Sequence, residues 1–181
     1  TSRKISSMAS VSIEDRAFLF ADGVYEVAEV REGSLIDEDR HLTRLARSLR
    51  ELRIKAPMGM AAIGTILREV VRRNRVRDGM AYLQITRGAG KRNHAFPAAT
   101  TPPTIVATAY ASDPAAIEKK AAAGISVLTV PENRWGRVDI KTVSLLPNVL
   151  ARQAALDAGK SDAWFVTASG EVTEAAASNA W

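Results

Sequence analysis

The sequence predicts a mixed α/β chain divided into two domains. Three observations carry that expectation. Short β-branched runs alternate with longer runs whose apolar residues recur at helical spacing, the pattern of helices packed on sheets. The length, 181 residues, suits one large domain or two small ones. Near the middle, "SDPAAIEKKAAAG" (Ser112 to Gly124) turns polar and alanine-rich, as a connection between domains does. The expected division is a smaller N-terminal α/β domain over 1–112, a connection over 113–124 and the start of a larger domain over 125–181.

"GVYEVAEVREG" (Gly23 to Gly33) is β-branched and closes on glycine, so it reads as a strand entering a turn. In "DEDRHLTRLARSLRELRI", Leu42, Leu45, Ala46, Leu49 and Leu52 recur at helical spacing behind an acidic opening, the mark of an amphipathic helix. "MAAIGTILREVVRRN" predicts a second helix, with Ile63, Ile66, Leu67, Val70 and Val71 as its apolar stripe. "MAYLQITRG" and "PTIVATAYA" read as strands, and "ISVLTVP" as the first strand past the connection. "SLLPNVLARQAALDAG" is a helix stopped by Gly159. "DAWFVTASGEVTEAAASNAW" reads as two strands around a tight Ala-Ser-Gly-Glu turn.

Composition narrows the chemistry. The chain is 46% hydrophobic and 25% charged, ordinary for a globular protein. The net charge of +5 comes from 18 arginines spread along the chain. Their densest cluster, Arg68, Arg72, Arg73, Arg75 and Arg77, reads as a solvated helix face with a basic last turn. No aromatic residues interleave with it, so stacking platforms for single strands are absent and no nucleic-acid partner is expected. No apolar run approaches the roughly 18 residues of a membrane helix. Without cysteine there are no disulfides, thiol nucleophiles or thiolate metal sites, which fits a reducing cytoplasm. The two histidines, His41 and His94, lie far apart, so no metal is expected. "RGAGKRNH" is not a phosphate-cradling P-loop, because Ile85 stands where a glycine is needed and Arg92 where Ser or Thr is needed.

What remains is a lysine, a glutamate and several arginines. Lys141, in "VDIKTVSLLPNVLARQ", follows a short apolar run and precedes Leu145, Leu146, Val149 and Leu150. Such a lysine either snorkels to the surface or has a chemical task. A desolvated lysine can be a neutral amine and condense with an aldehyde. Pyridoxal phosphate asks for such a lysine, an anion for its pyridine nitrogen and a cationic cradle for its phosphate.

Five blocks, "VSIEDRAFLFADGVYEV", "RHLTRL", "YLQITRGAGKRNHAFP", "RWGRVDIKTVSLLPNVLARQ" and "EVTEAAASN", resemble successive blocks of the fold-type IV pyridoxal-phosphate aminotransferases, in that family's order and spacing. Within the family the resemblance is strongest to the D-amino acid aminotransferases. It implies that Lys141 holds pyridoxal 5′-phosphate as a Schiff base and moves the proton between the substrate α-carbon and the cofactor C4′. It implies that Glu174 faces the pyridine nitrogen and that Arg44, with Ser178 and Asn179, belongs to the cofactor's surroundings. Helical projection at about 100° per residue puts Arg44 opposite the Leu42–Leu45–Leu49 stripe, on a solvated face or one lining a cleft. The Arg92-x-His94 pair with Tyr25 resembles the trap for the substrate α-carboxylate, which in the family reaches across a homodimer.

Stereochemistry would follow, since Lys141 serves one face of the cofactor and the side holding the carboxylate selects the α-hydrogen presented to it. The implied reaction is a ping-pong transfer from a D-amino acid such as D-alanine to a 2-oxo acid such as 2-oxoglutarate. Ala175, Ala176 and Ala177 stand where the family has glycine and serines, which removes hydroxyls from that loop. The family's sequence also continues past the position of Trp181. The second domain is therefore expected to be incomplete, with bare strand edges, and this stretch alone to fold poorly. The alternatives are another fold-type IV activity, a branched-chain L-amino acid aminotransferase or an aminodeoxychorismate lyase, or a cofactor-binding relative without turnover.

Overall fold

The computed structural model describes residues 9–179, which form two compact units. The first unit takes the chain to Pro114 and adds Asp139–Val143; the second takes Ala115–Val138 and the residues from Ser144.

The first unit opens with a short helix, α1 (Arg16–Phe20), which periodicity does not reveal because five residues make little more than one turn. Asp15 caps it: one carboxylate oxygen accepts from the Ala17 amide at 2.9 Å. The other accepts the Thr86 hydroxyl at 2.9 Å. β1 (Gly23–Arg31), the short β2 (Ser34–Leu35), β3 (Gly79–Thr86) and β4 (Ile105–Ala111) then build a sheet in the order β2-β1-β3-β4. The β1–β3 and β3–β4 pairs are antiparallel.

Helices α2 (Glu38–Glu51) and α3 (Met60–Arg73) supply the other layer. Val24 and Val30 of β1, Leu83 and Ile85 of β3, Leu45 and Leu49 of α2, and Ile63, Leu67 and Val71 of α3 form the core. Residues two apart on a strand share a face, so β1 sends Val24, Glu26, Ala28 and Val30 into this core and Tyr25 and Val27 to the opposite face. The arginines of α3 end it with a basic last turn, as expected. Arg72 and Arg73 pair with Glu69, and Arg68 pairs with Glu38 of α2.

The expected connection is itself a helix, α4 (Pro114–Ala123), with no buried residue, which is why no apolar stripe announces it. The second unit carries β5 (Val127–Pro131), α5 (Leu146–Asp157), β6 (Asp162–Val166) and β7 (Val172–Ala175), with sheet order β5-β6-β7. β5 and β6 run parallel and β6 and β7 antiparallel. Gly170, at φ +90°, makes the turn between β6 and β7, where the Gly170 amide donates to the Thr167 carbonyl. The apolar run at the start of α5 is not what the helix buries. Ala151 and Ala155 pack near Ala163 and Phe165, while Leu146, Val149 and Leu150 stay exposed. Small side chains let the helix approach its sheet closely.

Asp139–Val143 departs from the expected division, since it lies with the first unit rather than with 125–181. The reason is a free strand edge. β1 pairs with β2 only at Val30 and Arg31, leaving its N-terminal half open on that side. The Tyr25 amide donates to the Lys141 carbonyl and the Val143 amide to the Gly23 carbonyl, both at 3.1 Å, with Val24 and Thr142 bridged between them. Backbone groups that would otherwise lack partners are satisfied in this way.

Candidate active site

Alternation along this added edge strand decides where its lysine points. Ile140 enters the core at 3% exposure and Thr142 is buried too, so Lys141 between them is turned outward. Its Nζ lies 3.3 Å from the Tyr25 hydroxyl and 4.3 Å from the centre of the Tyr25 ring. The Tyr25 ring stacks on Tyr82 at 5.8 Å, and the Tyr82 hydroxyl donates to Gln84 Oε1 at 2.7 Å. Burial pushes the Tyr82 phenol up. Helix α2 clamps the strand from the other side. Arg47 donates to the Asp139 carbonyl and carboxylate, each at 2.6 Å, and the Lys141 amide reaches Ser48 Oγ at 3.4 Å.

Tyr25 and Glu26 are neighbours on opposite faces of β1. Glu26 is buried below Arg44, whose Nε and Nη2 donate to its two oxygens at 2.7 and 2.6 Å. His41 Nδ1 lies 2.8 Å from Glu26 Oε2. Burial raises the Glu26 pKa, but the hydrogen bonds and charges of Arg44 and His41 outweigh it and hold the carboxyl below its ordinary value. Arg44, on the face opposite the leucine stripe, keeps 46% of its side chain exposed while anchored to Glu26.

Arg92 and His94 stand on the loop between β3 and β4, and both are exposed. They meet around the Phe20 ring of α1, His94 at 5.2 Å between ring centres and Arg92 at 5.4 Å. In the second unit, Glu174 is half-buried on β7, with the Ala175 amide 3.3 Å from its Oε1. Among the described residues no cation forms an ion pair with Glu174. Ser178 donates to Asp162 Oδ2 at 2.7 Å, and Asn179 is exposed.

The structure thus joins Lys141 to Tyr25 and sets Arg92 and His94 around the one ring of Phe20. Arg44 stands with Glu26 and His41, two residues that sequence reasoning did not single out. The signal for Glu26 was an acidic residue on the apolar register of β1, between Val24 and Ala28. Arg16, Asp22 and Arg87, a buried cluster beside the Arg92–His94 loop, had no comparable signal.

An amine beside a phenol, with no carboxylate in ion-pair contact among the described residues, suits condensation with a carbonyl. Lys141 therefore fits an aldehyde cofactor, and the unpaired Glu174 carboxylate fits a pyridinium partner.

Solved structures place this architecture in a known fold. An aminotransferase from Mycobacterium tuberculosis, described as hypothetical and in its PLP-bound form, matches 93% of this chain and 60% of its own with a TM-score of 0.78 at 22% identity. A 4-amino-4-deoxychorismate lyase from Pseudomonas aeruginosa matches 94% and 62% with a TM-score of 0.76 at 29% identity. The fold is that of the fold-type IV aminotransferases.

The sequence model described as Amino-transferase class IV matches residues 23–181, so the chain belongs to the class IV aminotransferase family, whose cofactor is pyridoxal 5′-phosphate. A D-alanine aminotransferase from Bacillus licheniformis is 39% identical over 175 residues, which are 97% of this chain and 60% of that protein. Its counterpart in Staphylococcus haemolyticus is 36% identical over 174 residues. The chain spans about 60% of the length of these relatives.

Proposed function

We propose that the protein carrying this chain is a D-amino acid aminotransferase that moves the amino group of a D-amino acid such as D-alanine to a 2-oxo acid such as 2-oxoglutarate. The observation that carries the reading is Lys141 Nζ at 3.3 Å from the Tyr25 hydroxyl, on a strand fixed by Arg47, Ser48 and the edge of β1. The D-alanine aminotransferases that match nearly the whole chain support the choice of substrate.

In this reading Lys141 holds the cofactor, Glu174 faces its ring nitrogen, Arg44 meets its phosphate, and Ser178 and Asn179 also take part in binding it. Bound pyridoxal phosphate supplies the carbonyl that takes the amino group and the ring that accepts electrons from the α-carbon. Lys141 moves the proton at that α-carbon. Tyr25 holds the Lys141 amine in place, and with Arg92 and His94 it receives the substrate carboxylate. A homodimer, with Arg92 and His94 serving the partner's site, belongs to the same proposal.

The lyase from Pseudomonas aeruginosa, 29% identical, supports a second reading in which the same lysine serves elimination. Visible absorption of the full-length, cofactor-loaded protein separates the two. D-Alanine is expected to convert the spectrum to that of the pyridoxamine form, L-alanine is not, and Lys141→Ala abolishes the response. A response to L-alanine alone would overturn D specificity. A cofactor band that neither isomer alters would favour the lyase.

A further inference from the structure

The loop bearing Arg92 and His94 is gripped from beneath by a buried guanidinium. Arg16, only 4% exposed, donates through Nη1 to the Asn93 carbonyl at 2.6 Å and the Ala95 carbonyl at 3.2 Å. Its Nη2 lies 3.5 Å from the His94 carbonyl. One side chain thus collects three successive carbonyls around His94. Its Nε is taken by Asp22 Oδ2 at 2.8 Å. Asp22 also receives Arg87 Nε and Nη2 at 2.7 and 2.9 Å, and Arg87 donates in turn to the Leu52 and Arg53 carbonyls. The Arg87 guanidinium lies 3.7 Å from the centre of the Phe96 ring, at the far side of the same loop.

The side chains above this grip are not consumed by it. Among the described residues Arg92 and His94 contact the Phe20 ring, but neither side chain makes a hydrogen bond or ion pair. Their backbone is fixed and their polar atoms are left for a ligand, the arrangement that lowers the ordering cost of binding. A planar, permanently charged fork is required beneath them, since a lysine amine cannot span three carbonyls and a carboxylate at once.

We propose that Arg16, locked by Asp22 and backed by Phe20, is the positioning residue that sets Arg92 and His94 to receive the substrate carboxylate together. The inference rests on the D-amino acid reading above.

Steady-state kinetics of the full-length, cofactor-loaded protein test it, with D-alanine and with D-alaninamide, which lacks the carboxylate charge. Arg16→Lys is expected to raise KM for D-alanine about tenfold, leave kcat within about twofold and leave kcat/KM for D-alaninamide unchanged. Phe20→Leu should shift KM in the same direction, and it carries the test should Arg16→Lys fail to fold. Arg92→Ala is the control for the reading itself. If Arg92→Ala raises KM and neither Arg16→Lys nor Phe20→Leu does, the positioning role is wrong while the trap stands. If Arg92→Ala changes nothing, the trap is wrong and the inference falls with it. An equal loss on both substrates in Arg16→Lys would mark a merely structural role and overturn the proposal.

Discussion

Arg44 meets Glu26 at two points, Nε to Oε1 and Nη2 to Oε2, so the guanidinium plane is fixed by a carboxylate that is itself only 4% exposed. Glu26→Gln keeps the shape and removes the charge. It is expected to cost about 1–2 kcal/mol, the lower part of the range for a charged hydrogen bond because Arg44 is half in water. Urea denaturation at neutral pH measures it. A change below the error of the method would mean that the pair is not formed in solution.

The same carboxylate gives stability a direction in pH. Glu26 and Asp22 both have pKa values lowered in the folded state, since their arginine partners outweigh the rise that burial imposes. A lowered folded value means that the unfolded chain binds protons first as pH falls. Their contribution is therefore complete above the ordinary carboxylate range and is lost as pH drops through the folded values. Melting temperature should fall on acidification below about pH 4.5, and less steeply in Glu26→Gln than in wild type.

Removing the Tyr25 hydroxyl separates packing from chemistry. Tyr25→Phe retains the ring against Tyr82 and Lys141, so stability should change by no more than about 1 kcal/mol. Turnover should fall about 10- to 100-fold if that hydroxyl serves the reacting amine. Thermal melts and kcat on the same preparation decide the point.

Arg47→Ala removes both bonds to Asp139. The ion pair is open to water on both sides, so its direct worth is about 0–1 kcal/mol. Its effect should instead be local. Hydrogen exchange at the Tyr25 and Val143 amides, which close the added edge strand, is expected to quicken while amides in the middle of β3 are unchanged. Uniform quickening would show that Arg47 acts on the whole unit.

Gly88 sits at φ +92°, and a Cβ there would lie 2.1 Å from the Pro102 carbonyl oxygen. Gly88→Ala should cost about 2 kcal/mol or more, through strain and a clash with backbone that cannot retreat. Gly59→Ala, at an extended N-cap position with nothing within 4 Å, should be tolerated in the same urea titration.

Much of the architecture was legible because it rests on periodicity. α2 and α3 declare themselves through Leu45, Leu49, Ile63 and Leu67, and β1 and β3 through short apolar and β-branched runs bounded by glycine. Elements without a stripe were not legible: α1 is too short, and α4 buries nothing. Lys141 and Tyr25 could be named from motifs, but their contact could not. It depends on a strand addition between residues 116 positions apart. Projection put Arg44 on a solvated face or one lining a cleft but could not show its anchor, because projection sees only its own helix, whereas Glu26 comes from β1. Arg16 and Arg87 carried no signal of their own, since a buried guanidinium is defined by carbonyls that carry no sequence signature.

The edge strand that delivers Lys141 also sets a timetable. A chain made from its amino end completes β1, β3 and α2 well before residues 139–143 exist. At about 5–20 residues per second, the open edge of β1 waits several seconds for its partner. During that interval the nascent first unit presents unpaired backbone to any passing strand. Lys141 is thus also among the last residues to join the unit that holds it.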